Sequence, residues 1–183
     1  LQDLPGITVL DFSGTRLRNH TAALIPNSPR LTYLSLGETG VRSADLEVLA
    51  RLPNLTQLSL RRTAIDDDGL RHLAPLSRLE WLHLGSTDVT DAGMAEIARL
   101  TSLKTLRLDN TQLTDQGLAE LSSLRNLEEL DLGMTLVSPQ SSQLLIDMQV
   151  TRRLIVPNEW PPAAVQSLQQ SLPATCDVSA TLY

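Results

Sequence analysis

Apolar residues recur along this chain with a period of 24 from Ile7 to Val150, in six copies that begin at Ile7, Leu31, Leu55, Leu79, Leu103 and Leu127. The clearest copy, Leu103 to Asn126, carries leucine at its first, fourth, sixth, eleventh, sixteenth, nineteenth and twenty-second positions. A fixed period of this length marks an array of supersecondary units, each burying its apolar face against the next. Positions four and six are separated by polar residues, the period-two sign of a strand with one buried face. The fourth position holds Leu10, Leu34, Leu58, Leu82, Leu106, Leu130 and then Leu154, and the sixth runs from Phe12 to Val156. Residues 151–156 therefore supply a seventh strand. Seven parallel strands at about 4.8 Å spacing make a sheet roughly 30 Å across.

The other positions of the unit have readable jobs. The ninth is Thr15, Thr39, Thr63, Thr87, Thr111 and Thr135. At the turn off a strand, a buried threonine hydroxyl serves neighbouring backbone groups, so this series is expected to be a structural ladder and not a row of nucleophiles. A short helix follows in each unit. Thr90-Asp91, Thr114-Asp115 and Asp66-Asp67-Asp68 stand at its start, where an oxygen caps free N–H groups and an acid complements the helix terminus. The glycine after them (Gly69, Gly93, Gly117) is expected to let the helix approach the strand layer. Asp66–Asp68 faintly resembles the start of a calcium loop but lacks its far ligands.

The spacing L-x-x-L-x-L, with a polar position three residues on, resembles leucine-rich repeats. The unit looks like the 24-residue bacterial type, L-T-x-L-x-L-x-x-T-x-[ILV]-T-D-x-G-L-x-x-L-x-x-L-x-N, and is also similar to ribonuclease-inhibitor-like repeats with convex helices. The match covers 7–150. It weakens at Ala22 and Ser28 in the first unit and at Pro139 and Ser142 in the sixth. The resemblance implies an α/β solenoid, curved and right-handed, with a parallel β-sheet on the concave face and short helices on the convex face. It also implies a recognition scaffold, often fused to an effector.

Around this array, residues 1–6 look like the end of a truncated preceding repeat, which reads as a piece of a longer protein. Residues 151–172 are expected to form a C-terminal cap, with a strand and then a helix opening at Pro161-Pro162 that covers the open end. Trp160 is expected to plug that end. The tail, 173–183, shows no periodicity and is expected to lack regular structure.

Charge and composition narrow the function. A formal charge of −6 over 183 residues is the wrong sign for a phosphate-backbone binder. No run of 18 apolar residues crosses a membrane. The single cysteine, Cys176, excludes an intramolecular disulfide framework and fits a reducing compartment such as the cytoplasm as well as secretion. His20, His72 and His83 fall in different units with no metal-ligand spacing, so neither metal nor cofactor is expected. His83 with Ser59 or Ser35 and Asp109 can be drawn as a triad, but an open sheet has no oxyanion hole or water-excluding pocket, and catalysis is not expected. The glycosylation triplets Asn19-His20-Thr21 and Asn54-Leu55-Thr56 are too short to carry weight.

What remains is the concave surface, formed by the second, third, fifth, seventh and eighth positions. At the second, Glu80, Lys104, Glu128 and Arg152 alternate in sign and are expected to pair as a ladder. Glu129 and Arg153 are expected to do the same one position on. Setting these aside leaves Tyr33, Glu38, Arg61, Arg62, Trp81, His83, Arg107 and Asp109 near the centre. Tyr, Trp and Arg dominate interface hot spots. Two of only five aromatic residues, Tyr33 and Trp81, point outward here, with Arg61, Arg62 or Arg107 in reach of Trp81. The chain is thus expected to be a non-catalytic module that binds another protein, with carbohydrate binding or regulation of a neighbouring domain as alternatives.

Overall fold

The computed structural model describes residues 6–17, 25 and 28–180. His20, the Asn19 triplet, Leu1 and Leu4 lie outside them. Eight parallel strands form one sheet in chain order: β1 Val9–Asp11, β2 Tyr33–Ser35, β3 Gln57–Ser59, β4 Trp81–His83, β5 Thr105–Arg107, β6 Glu129–Asp131, β7 Arg153–Val156 and β8 Asp177–Ala180. Each pairs with the next at an offset of one unit, Leu10 with Leu34 through to Leu154 with Val178. Helical segments return the chain along the opposite side. They mix short α-helices (α1 Asp67–Leu70, α2 Met94–Ile97, α3 Asp115–Glu120, α4 Ser142–Met148, α5 Pro162–Ser171) with 3₁₀ turns such as Ser43–Arg51.

The core is the set of repeating leucines. Leu34, Leu58, Leu82, Leu106 and Leu154 at the fourth position are wholly buried, as are Leu49, Leu121 and Leu145 on the helical side. On β1, an edge strand, Leu10 and Phe12 are only half-buried.

Three expectations need correction. The expected irregular tail, 173–183, is corrected as far as residue 180, the remainder lying outside the described residues: the period continues, with Val178 and Ala180 on β8 in the places of Leu154 and Val156. Only one apolar residue of that strand, Val178, is large and buried, which hides the period in the sequence. It follows that the helix after Trp160 does not close the open end. It packs on α4 and β8 as the convex helix of a seventh unit. Trp160 is buried, but inside the stack and not as a plug on an open end, with its indole Nε1–H donating to the Val137 carbonyl at 2.8 Å. In earlier units a backbone N–H does this work: Asp88 to Ile65, Gln112 to Val89 and Leu136 to Leu113.

The acids at the helix starts also do something other than expected. The caps are Asp66, Thr90, Thr114 and Ser138. The aspartate after the cap turns to the next unit instead. Asp67 accepts from the Thr90 N–H and hydroxyl at 2.8 and 2.7 Å, and Asp91 likewise from Thr114 at 2.8 and 2.6 Å. Asp115 accepts from Ser138 at 2.9 and 2.6 Å, and from the Ser141 hydroxyl as well. Between units two and three the partners exchange places, with the Ser43 hydroxyl donating to Asp66 at 2.6 Å. The glycines make room for this bracing, which is their function here: a Cβ on Gly117 would overlap the Asp91 carboxylate, and one on Gly93 that of Asp67.

The threonine series is local to each unit. All six hydroxyls donate to the carbonyl three residues back, from Thr15 on Phe12 to Thr135 on Leu132, at 2.5–2.7 Å. They close a turn in which the preceding residue is left-handed in every unit: Gly14, Glu38, Arg62, Ser86, Asn110 and Met134 have φ between 51° and 69°. Five of these six carry a side chain in a region that ordinarily favours glycine.

Candidate functional site

Because β-strand side chains alternate, the third and fifth positions stand on the concave face, and the turn carries the seventh and eighth to its rim. The second-position ladder forms as expected: Lys104 pairs with Glu80 at 2.8 Å and Arg152 with Glu128 at 3.2 Å. Glu80 and Glu128 hold Lys104 above its ordinary pKa, the hydrogen bond from Lys104 to Glu80 being the larger cause. The ladder expected one position on does not form, because Glu129 faces Arg152 at 3.9 Å and not Arg153.

The eight residues singled out from the sequence fall into two groups and one isolated ring. Toward the N-terminal strands, Arg61 and Arg62 converge on one oxygen of Glu38, at 2.7 and 3.4 Å. Neither covers Trp81. At the centre, Arg107 lies over the Trp81 ring with its guanidinium carbon 5.9 Å from the ring centroid. The His83 ring meets Trp81 edge-on at 5.8 Å, with 83° between the planes. His83 Nε2 is 3.2 Å from Asp109 Oδ1. Burial alone would push the Asp109 carboxyl up, but the hydrogen bond and charge of His83, with Arg61 beyond, bring it below the usual carboxylate range. Gly85, between them, leaves the space Asp109 occupies, since a Cβ there would overlap its carboxylate. Tyr33 stands apart, two strands from Trp81 with Gln57 between.

This arrangement is a set of fixed, mutually satisfied side chains. Although Ser59 and His83 are register neighbours, the described hydrogen bonds of His83 do not include the Ser59 hydroxyl. Asn54 is also committed: its side-chain N–H₂ donates to the Pro29 carbonyl at 2.6 Å and its oxygen accepts from Arg78. Among the described residues no group of three or more His, Cys, Asp or Glu is placed to hold a metal. No helix there is long and apolar enough to cross a membrane.

Sequence reasoning missed a second concave feature. Asp131 on β6 sits beside Arg107 in register, yet makes no ion pair among the described residues, since Arg107 turns to Trp81. Burial raises the Asp131 carboxyl above its ordinary value and the charge of Asp109 adds to this; the Gly133 N–H, Arg107 and His83 offset it only in part. Next to it, Met134 and Leu136 are exposed, Leu136 by 67%. The available signal was positional: the tenth residue is Gly40, Ala64, Asp88 and Gln112 in the four units before, and leucine only here.

Two stretches of one repeat length, residues 51–74 and 99–122, match the family described as Leucine Rich repeat. No curated protein matches the chain in sequence. Among solved structures it is similar to an internalin (inlF) of Listeria monocytogenes, with 22% identity and a TM-score of 0.75 over 98% of this chain and 49% of that one. It is similar also to an internalin C2 (inlC2) of the same organism, with 24% identity and a TM-score of 0.75, covering 97% of this chain and 73% of that one. The chain thus spans about half the length of the first. With the repeat matched in two stretches and the solenoid shared over nearly every residue, the chain has the leucine-rich-repeat fold.

Proposed function

We propose that the concave sheet is a non-catalytic recognition surface for another protein, centred on Trp81 and Arg107. The observation that carries this reading is the half-exposed Trp81 indole, fixed edge-on by His83 and faced by Arg107 on the middle strands of an open sheet. An aromatic ring already held in one orientation loses little conformational entropy on binding, which is how a few anchors come to dominate an interface. The Glu38–Arg61–Arg62 cluster flanks it as a charged rim, where pairs set orientation and encounter rate more than affinity. Tyr33 is a separate contact two strands away.

The test is affinity capture from the source organism's lysate on the parent chain and on a Trp81→Ala/Arg107→Glu double variant. The reading expects at least one protein to be held by the parent and lost by the variant, while both unfold at the same temperature. The same proteins retained on both would contradict it.

A further inference from the structure

Three depressions on the C-terminal half of the solenoid lie end to end, each sharing lining residues with the next, and together outline a trough. The first, of about 220 Å³, lies over β5–β7 among Arg107, Glu129, Asp131, Arg153 and Ile155. The second, of about 340 Å³, shares Asp131, Arg153 and Ile155 with it and extends to Met134. The third, of about 570 Å³, starts at Met134 and continues past Leu136 and Pro139 to Pro157 and Trp160. The trough therefore leaves the concave face and crosses the rim of the sheet.

Its chemistry changes along its length. At the concave end is the half-buried Asp131 carboxylate, accepting from the Gly133 N–H and without an ion pair among the described residues. Glu129 stands beside it, and Glu159 lies further along. Arg107 is drawn over Trp81, and Arg153 is exposed at the margin. At the rim end are two of the three exposed large apolar side chains among the described residues, Met134 at 38% and Leu136 at 67%. Neither is needed by the fold at its position. The left-handed φ of 55° at Met134 disfavours any side chain, and Leu136 contributes its N–H to the Leu113 carbonyl while its side chain faces solvent.

A half-buried carboxylate that has no ion pair among the described residues is a ready acceptor for a cation. We propose that the trough takes an extended segment of the partner protein, with a lysine or arginine placed on Asp131, its aliphatic stem along Ile155, and a large apolar side chain a few residues away on Met134 and Leu136. The inference rests on the recognition reading above. It shifts the weight of the footprint from the central strands toward β6, β7 and the adjoining rim. An acidic segment would meet Asp131, Glu129 and Glu159, and a wholly polar one would leave Leu136 uncovered.

A phage-displayed library of random linear peptides, selected on the purified chain, tests this before any partner has been identified. The expected result is enrichment of peptides that combine a basic residue with a large apolar one, whose affinity falls roughly tenfold or more on Asp131→Asn and again on Leu136→Ser. Leu136 is exposed and Asp131 half-buried, and unchanged circular dichroism would confirm that both variants fold. Enrichment of acidic peptides, or no enrichment, would overturn the proposal. So would dimerisation in sedimentation experiments that Leu136→Ser abolishes, since the trough would then belong to a second copy of the chain. Peptides that lose binding to Trp81→Ala but ignore Asp131→Asn and Leu136→Ser would sink the trough and leave the concave-face reading standing. Indifference to all three variants would sink both.

Discussion

The helix-start edge of the solenoid and its concave face are built from the same repeat by opposite rules. Along the edge one arrangement recurs three times: an aspartate accepts from the N–H and hydroxyl of the next cap, at 2.6–2.9 Å. Across the central and C-terminal strands of the concave face the outward positions vary. The fifth residue of the unit is Ser59, His83, Arg107 and Asp131 in successive strands, and each finds a different neighbour or none. In a stacked array the contacts between units are what stabilises the whole. Positions held constant therefore brace the stack, and positions that vary are free of that duty and carry the proposed recognition surface.

The contrast can be broken from the bracing side first. Gly117→Ala should destabilise the chain by about 1–3 kcal/mol, because the added methyl displaces the Asp91 carboxylate. Urea unfolding measures it, and the loss should shrink when Asp91 is already alanine. Asp91→Ala alone should cost about 1–3 kcal/mol, since it strands the part-buried N–H and hydroxyl of Thr114. A cost near zero would mean that the ladder braces nothing.

Acid sharpens the same point. Burial acts to raise Asp115, but the bonds from Ser138 and Ser141 outweigh it and leave the carboxyl below its usual range. Its stabilisation is present above the unfolded aspartate value of about 3.9 and is lost as pH falls through the lower folded one. A Ser138→Ala/Ser141→Ala variant should therefore show a flatter decline in stability below pH ~4. On the concave face the sign reverses. Asp131 is raised in the folded chain, so its ionisation opposes folding at neutral pH. Asp131→Asn should raise the unfolding midpoint slightly at neutral pH, with the gain fading as pH falls toward the aspartate range. This is the smallest effect of the set, readable by calorimetry, and a lowered midpoint at neutral pH would contradict it.

Much of this was legible in the sequence, for a physical reason. A repeat averages away local noise, so the strand positions, the caps and the threonine turns stand out where one unit alone would be ambiguous. What escaped was whatever a single unit decides. β8 went unseen because Val178 is the only large apolar residue buried in it. The bracing role of Asp67, Asp91 and Asp115 was hidden because their partners lie 23 residues away and the carboxylate also suits the local helix terminus. On the concave face, the residue types of Trp81, Arg107, His83 and Asp109 pointed to their neighbourhood. Their pairing did not follow: Arg61 and Arg62 were equal candidates to cover Trp81 until Glu38 was seen to hold both.

The most direct test of the division between bracing and recognition measures two quantities on two variants. Thermal unfolding and partner capture are recorded for Trp81→Ala and for Asp91→Ala. If the two roles are separate, Trp81→Ala unfolds with the parent and loses the captured protein, while Asp91→Ala unfolds earlier and, well below its midpoint, still retains it. A Trp81→Ala chain that melts early, or that melts with the parent and captures the same protein, would contradict that division.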